Sequence, residues 1–300
     1  MPSPESTTAA GARARVRASE LVELAKPRLT SLVLVTTLSG FYLGRAGPVP
    51  LAPLLHTLIG AGLLAAGAGT FNMIVERGRD ALMRRTRNRL LASGRLSPRR
   101  AFGIASLLSA AGLTQLFLMV NAVTGLVALA VIACYLLVYT PLKTRTSWSV
   151  PAGAVSGALP VLIGWAGAAG GIPARAWILF MIVFLWQFPH VHAIGWLHRD
   201  DYARAGIPVL SVIDRDGRRT GRQVRLAAAA LLLCSLLPTA AGLTGAAYLA
   251  GALVLGAGFL ARAVLFARSP GPGSARRLLL VSTLYLPLLL GLAALDKTAG

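Results

Sequence analysis

The sequence predicts an all-α polytopic membrane protein, a bundle of nine transmembrane helices, and three observations predict it. Of 300 residues, 55% are hydrophobic and only 13% charged. The apolar residues run in nine stretches, near 29–46, 52–75, 101–120, 122–141, 150–170, 176–197, 224–243, 246–266 and 277–295. Each approaches the roughly 20 residues that cross a hydrocarbon core. The basic residues then sort by side. With the N-terminus placed in the cytoplasm, 27 Lys and Arg fall inside and 3 (Arg45, Arg175, Lys297) outside, the bias that orients membrane proteins. The C-terminus is therefore expected outside. Unpaired backbone groups cannot face lipid, so every span should be helical.

On this reading the net charge of +20 is an orientation signal and calls for no nucleic acid; the partner it calls for is the lipid bilayer. Cys134 and Cys234 lie mid-span, which implies neither a disulfide framework nor a thiolate metal site. The first 20 residues lack an apolar core, so no cleavable signal is expected. Residues 1–19 read as a disordered cytoplasmic leader and 20–300 as one domain. The absence of an amphipathic transit peptide leans towards a bacterial plasma membrane.

The first span is entered through ELAKPRLT, where Lys26 and Arg28 serve as interfacial anchors or as phosphate contacts. The second contains GAGLLAAGAG, small residues that let helices approach closely or leave room for a lipid tail. It closes in NMIVERGRDALMRRTRNRLLASGRLSPRR, residues 72–100. Asn72, Glu76 and Asp80 are four residues apart and share one helical face. Oxygen ligands with open positions suit Mg²⁺, which completes its shell with water and phosphate oxygens. Arg84, Arg85, Arg87 and Arg89 follow as anion clamps. The plainer alternative is a solvated helix end. Against it, once the three acids at or before Glu23 and the one at Asp296 are set aside, the remaining six fall in just two places.

The fourth span ends in YTPLKTRTSW, bringing Lys143 and Arg145 to the same interface. The fifth carries Gly153 and Gly157 in GxxxG spacing and Pro160 as a kink. The sixth ends in WQFPHVHAIGWLHRDDYARAGIPVLSV, with His190, His192, His198, Asp200 and Asp201. Gln187, His190, Ile194, His198 and Asp201 form a polar stripe if Pro189 leaves the helix intact. Spans seven to nine offer no site and read as scaffold. Four helices separate the two acidic clusters, so two four-helix repeats would set them face to face. Two such clusters could hold Mg²⁺ around a diphosphate, whose departure from an allylic carbon would be eased by metal and basic side chains.

These motifs resemble the UbiA family of intramembrane prenyltransferases, and in detail its haem O synthase branch. The matching segments are KPR (Lys26–Arg28), NMIVERGRD with MRRTRNRLL, YTPLKTRT, GALPVLIGW, WQFPHVHAI and DDYARAGIPVL, in order over residues 24–211. The departures are Arg89-Leu90 for the branch's RPL, Val191 for Phe in PHF and Val209 for Met in PML. None removes a carboxylate.

The resemblance implies a nine-helix bundle of the UbiA type with a cytoplasmic active site. It implies Mg²⁺-dependent transfer of farnesyl from farnesyl diphosphate to a vinyl group of haem B, a substrate and not a cofactor. Asn72, Glu76 and Asp80 would take the first metal role, and Asp200 and Asp201 the second. Arg84, Arg87, Lys143 and Arg145 would clamp diphosphate, with Lys26, Arg28 and Arg89 beside them. His190 and His192 would meet the acceptor. Haem-handling membrane partners, such as a downstream haem A synthase, would follow. The alternative within the family is a quinone precursor or other aromatic acceptor. A transporter is disfavoured, since its ionisable groups belong at mid-membrane.

Overall fold

The computed structural model describes residues 22–298, so the expected leader over 1–19 lies outside the described residues. Nine long helices follow one another: α1 Pro27–Gly44, α2 Leu51–Leu82, α3 Pro98–Met119, α4 Ala122–Leu142, α5 Ser149–Ala169, α6 Ala174–Leu197, α7 Arg218–Ala240, α8 Ala246–Arg268 and α9 Pro272–Leu295. Among the described residues, α2 to α9 are the eight helices long and apolar enough to cross a membrane. The shorter α1 has only 18 residues and opens on Pro27 and Arg28. The chain is an integral membrane protein, and its outer surface agrees: Leu107, Leu118, Leu137 and Val254 are each at least 70% exposed, a lipid-facing coat that water would penalise.

Local chemistry sets the helix ends. Pro98 occupies the first turn of α3 behind Ser97, whose Oγ accepts from the Arg100 amide. Asn121 starts α4 by accepting from the Thr124 amide at 2.8 Å. At 32 residues, α2 overshoots its expected end at 75, so Glu76 and Asp80 remain helical. Pro189 leaves α6 unbroken. The break comes at His198, after which a short helix, Arg199–Arg204, carries Asp200 and Asp201.

The helices pack as two four-membered rings. In the first, α2 packs on α3, α3 on α4, α4 on α5, and α5 returns to α2; in the second, α6, α7, α8 and α9 close in the same way. The contact of α5 with α6 joins the rings, and α1 lies along α5 and α2 and reaches α9. α1 and α5 cross almost backbone to backbone. A Cβ on Gly164 would lie 1.9 Å from the Thr37 carbonyl oxygen, and one on Gly40 would lie 2.0 Å from that of Val161.

Gly153 and Gly157 have a different use from the expected close packing of helices. They face the Tyr139 ring and the Gln187 amide respectively, and both line a cavity. The rings differ inside. The second is filled by Trp186, Tyr248, Phe259 and Tyr285, whereas the first borders a cavity of about 260 Å³.

Candidate active site

The cavity runs between α1, α2, α4, α5 and α6. Its apolar wall comes from small or aliphatic residues, among them Ala61, Ala65, Ala68, Val33 and Ile163. Lys143, Tyr139 and Tyr135 also line it. At Cys134–Tyr139 the last part of α4 winds as a π-helix, a distortion frequent at functional sites. Its Tyr135 and Tyr139 rings stack at 5.3 Å, and the Lys143 ammonium lies 5.8 Å from the Tyr139 ring centre. Sequence reading missed both tyrosines, although their i,i+4 spacing before Lys143 was a usable signal.

Near Lys143, the last turns of α2 present Asn72, Glu76 and Asp80, only 2%, 5% and 1% exposed. Each meets one cation, and each cation comes from a different segment. Lys26 Nζ donates to Asn72 Oδ1 at 2.9 Å. Lys143 Nζ donates to Glu76 Oε1 at 2.6 Å. Arg89 Nη1 donates to Asp80 Oδ2 at 2.9 Å.

Lys26 reaches its place from a left-handed backbone, φ 46°, the sole positive φ outside glycine among the described residues. It precedes a proline, which bars the right-handed helical region. Burial pushes this lysine down to about 8, against the pull of Glu76. Burial also opposes the charge on Lys143, but Tyr139 and Glu76 outweigh it and hold the ammonium above its ordinary value.

The loop after α2 folds back to deliver Arg89. Thr86 Oγ1 donates to the Asp80 carbonyl, and Leu90, Leu91 and Leu96 bury against Leu24 and Met73. Asp201 secures this loop from the other ring. Its two carboxylate oxygens accept from the Arg84 and Arg85 amides at 3.2 and 3.4 Å, and Arg204 pairs with it as well. These bonds outweigh the desolvation of Asp201 and hold its carboxyl below the usual range. Met83 packs on Ala205 and Ile207 alongside. The two acidic segments thus face each other as the repeat argument expected, but Asp201 binds main chain.

The other expected site residues lie elsewhere. Arg28, Arg84, Arg87, Arg145 and Asp200 are exposed. His190 turns to α9, where its Nδ1 meets Ser282 Oγ at 2.8 Å and its ring stacks on Trp186. His192 pairs with Gln223 of α7 at 2.9 Å. Neither histidine lines the cavity: the helical face of α6 that reaches it holds Gln187 and Val191.

Among the described residues no group of three or more His, Cys, Asp or Glu side chains is poised to hold a metal. The donors present nevertheless suit a hard cation. Asp80 Oδ1 is buried without a hydrogen-bond partner, and an orphaned carboxylate oxygen is costly unless something binds it. Carboxylate and amide oxygens are the donors that Mg²⁺ takes.

Residues 33–287 match the model of the UbiA prenyltransferase family. The chain is 44% identical over 287 residues to a protoheme IX farnesyltransferase of Solibacter usitatus (strain Ellin6076), covering 93% of this chain and 98% of that one. It is 41% identical to the protoheme IX farnesyltransferase of Koribacter versatilis (strain Ellin345), covering 92% of each. A solved UbiA homologue from Aeropyrum pernix K1 superposes with a TM-score of 0.71 at 21% identity, over 89% of this chain and 96% of that one. Another, from Archaeoglobus fulgidus and bound to GPP and Mg²⁺, superposes with a TM-score of 0.65 at 15% identity, over 92% and 99%. At these identities the two structures bear on fold alone.

Proposed function

This chain belongs to the UbiA prenyltransferase family and is a prenyl-transferring enzyme, and from that premise we propose that it moves farnesyl from farnesyl diphosphate to a vinyl group of haem B, giving haem O. The observation that carries the reading is the stripe of Asn72, Glu76 and Asp80, held by three cations near an apolar cavity. Its names come from the relatives, which are called protoheme IX farnesyltransferases.

The diphosphate sits at the stripe and the isoprenoid tail in the cavity. Glu76, Asp80 and Asn72 would hold Mg²⁺, which would supply charge neutralisation for the leaving group. Lys26, Lys143 and Arg89 turn their remaining donors to the diphosphate oxygens, strengthening as charge builds there. The allylic C–O bond breaks with its electron pair leaving on diphosphate. Tyr135 and Tyr139 present aromatic faces beside the allylic cation. The vinyl π pair then forms the new C–C bond, and water adds to the resulting carbon cation and releases a proton.

Asp201 acts through the loop, keeping Arg89 over Asp80, and Asp200 stays exposed at the surface. The bias of 27 basic residues against 3 supports a cytoplasmic N-terminus and active site and an external C-terminus, and the bacterial relatives support a bacterial plasma membrane.

The test is product mass. Membranes holding the protein, given haem B, farnesyl diphosphate and Mg²⁺, should yield a haem heavier by one farnesyl and one water, and none without the metal. Metal-dependent diphosphate release that requires an aromatic acceptor other than haem would keep the chemistry and replace the acceptor.

A further inference from the structure

The basic residues that defy the charge bias all meet at one place. Arg45, Arg175 and Lys297 are the three placed on the sparsely charged face, and all three line a single cleft of about 70 Å³. The end of α1, the start of α6 and the C-terminal segment enclose it, at the opposite end of α1 from Lys26. Among the described residues none of the three pairs with a carboxylate; the nearby Asp296 is engaged with the Tyr248 amide at 2.7 Å.

Lys297 spends two donors on the Tyr42 and Arg45 carbonyls at 2.6 and 2.5 Å and keeps a third. Desolvation, with no anion to offset it, holds this lysine below its ordinary range. Arg175 stands in the first turn of α6, where the helix dipole is already positive. In the wall of the same cleft, Trp165 is 3% exposed and its indole N–H has no acceptor. Three cations with no carboxylate partner among the described residues and a buried donor with no acceptor converge at one cleft where the chain leaves the membrane.

We infer that this cleft binds a phosphate group, held by Arg45, Arg175, the free donor of Lys297 and the Trp165 N–H. A phospholipid head group and free phosphate share that chemistry, and the experiment separates them.

The full chain is equilibrated with phosphatidylglycerol or phosphatidylcholine, and retained lipid is counted by native mass spectrometry. Wild type is compared with an Arg45→Gln/Arg175→Gln double variant, because the strongly basic opposite face binds anionic lipid equally in both. The variant should lose one tightly held phosphatidylglycerol, its affinity falling at least about tenfold, as expected for losing charge-assisted bonds. Farnesyl transfer with saturating Mg²⁺ should be unchanged. Displacement of that one lipid by millimolar inorganic phosphate would identify free phosphate as the ligand; resistance to it would identify the head group. Identical retention by variant and wild type, with no effect of phosphate on either, overturns the site. Should the double variant misfold, Arg175→Gln alone, at an exposed position, carries the same comparison.

Discussion

Asp80 answers two demands at once: one oxygen is bonded to Arg89 and the other is buried with no partner. Asp80→Asn keeps the shape and an acceptor for Arg89, so circular dichroism should match wild type. A magnesium titration of turnover should show half-saturation shifted upward at least about tenfold, a loss typical of weakened metal sites. Lys143 raises a different question, of stability. Lys143→Met leaves the Glu76 carboxylate buried and unpaired, a fault that costs about 3–5 kcal/mol. Thermal unfolding should show that loss and its partial recovery when Glu76→Gln is added, the sign of direct coupling.

At the scale of the element, the crossing of α1 and α5 tolerates no side chain at its centre. Gly164→Leu should destabilise the bundle by at least about 1–3 kcal/mol through overpacking, visible as a lower melting temperature in detergent. The start of α7 gives a pH effect. Asp214 accepts from both the Thr220 amide and its hydroxyl at 2.7 Å, and these bonds, against desolvation, hold its carboxyl below the usual range. A carboxylate depressed on folding contributes its stability above the unfolded value near pH 4, and loses it as the pH falls through the lowered one. Asp214→Asn should therefore flatten the acid limb of a stability–pH curve measured by thermal unfolding.

What the sequence made legible follows from period and sign. Spans show as apolar runs, and Asn72, Glu76 and Asp80 show as an i,i+4 stripe, because both are local properties of the chain. The partners of that stripe do not. Nothing local tells that Lys26, Lys143 and Arg89 reach it while Arg28, Arg145 and Arg87 remain exposed. One helical step separates Val191, on the cavity, from His190, on Ser282, and the rotation of α6 is set by how Trp186 packs in the second ring. Clustered histidines were therefore a weaker guide than the less conspicuous Gln187.

At the scale of the whole molecule, the contrast between a hollow ring and a filled one determines what each half does. Ala61 lies eleven residues before Asn72 on α2, roughly 16 Å along the axis at 1.5 Å per residue, and it lines the cavity away from the stripe. Ala61→Phe should shorten the room for a tail. In competition assays it should favour a diphosphate donor one isoprene unit shorter than farnesyl, with magnesium dependence unchanged. An unaltered preference would place the tail elsewhere.

The ion-paired stripe also has a history in the making of the protein. Every residue of it, from Lys26 to Lys143, lies in the first half of the chain. A ribosome that has just threaded α4 into the bilayer has already emitted all six charged and amide groups. The buried acids and their cations are thus all available to one another before the second ring is synthesised. Asp201 arrives later, on the second ring, and fastens the loop that carries Arg89.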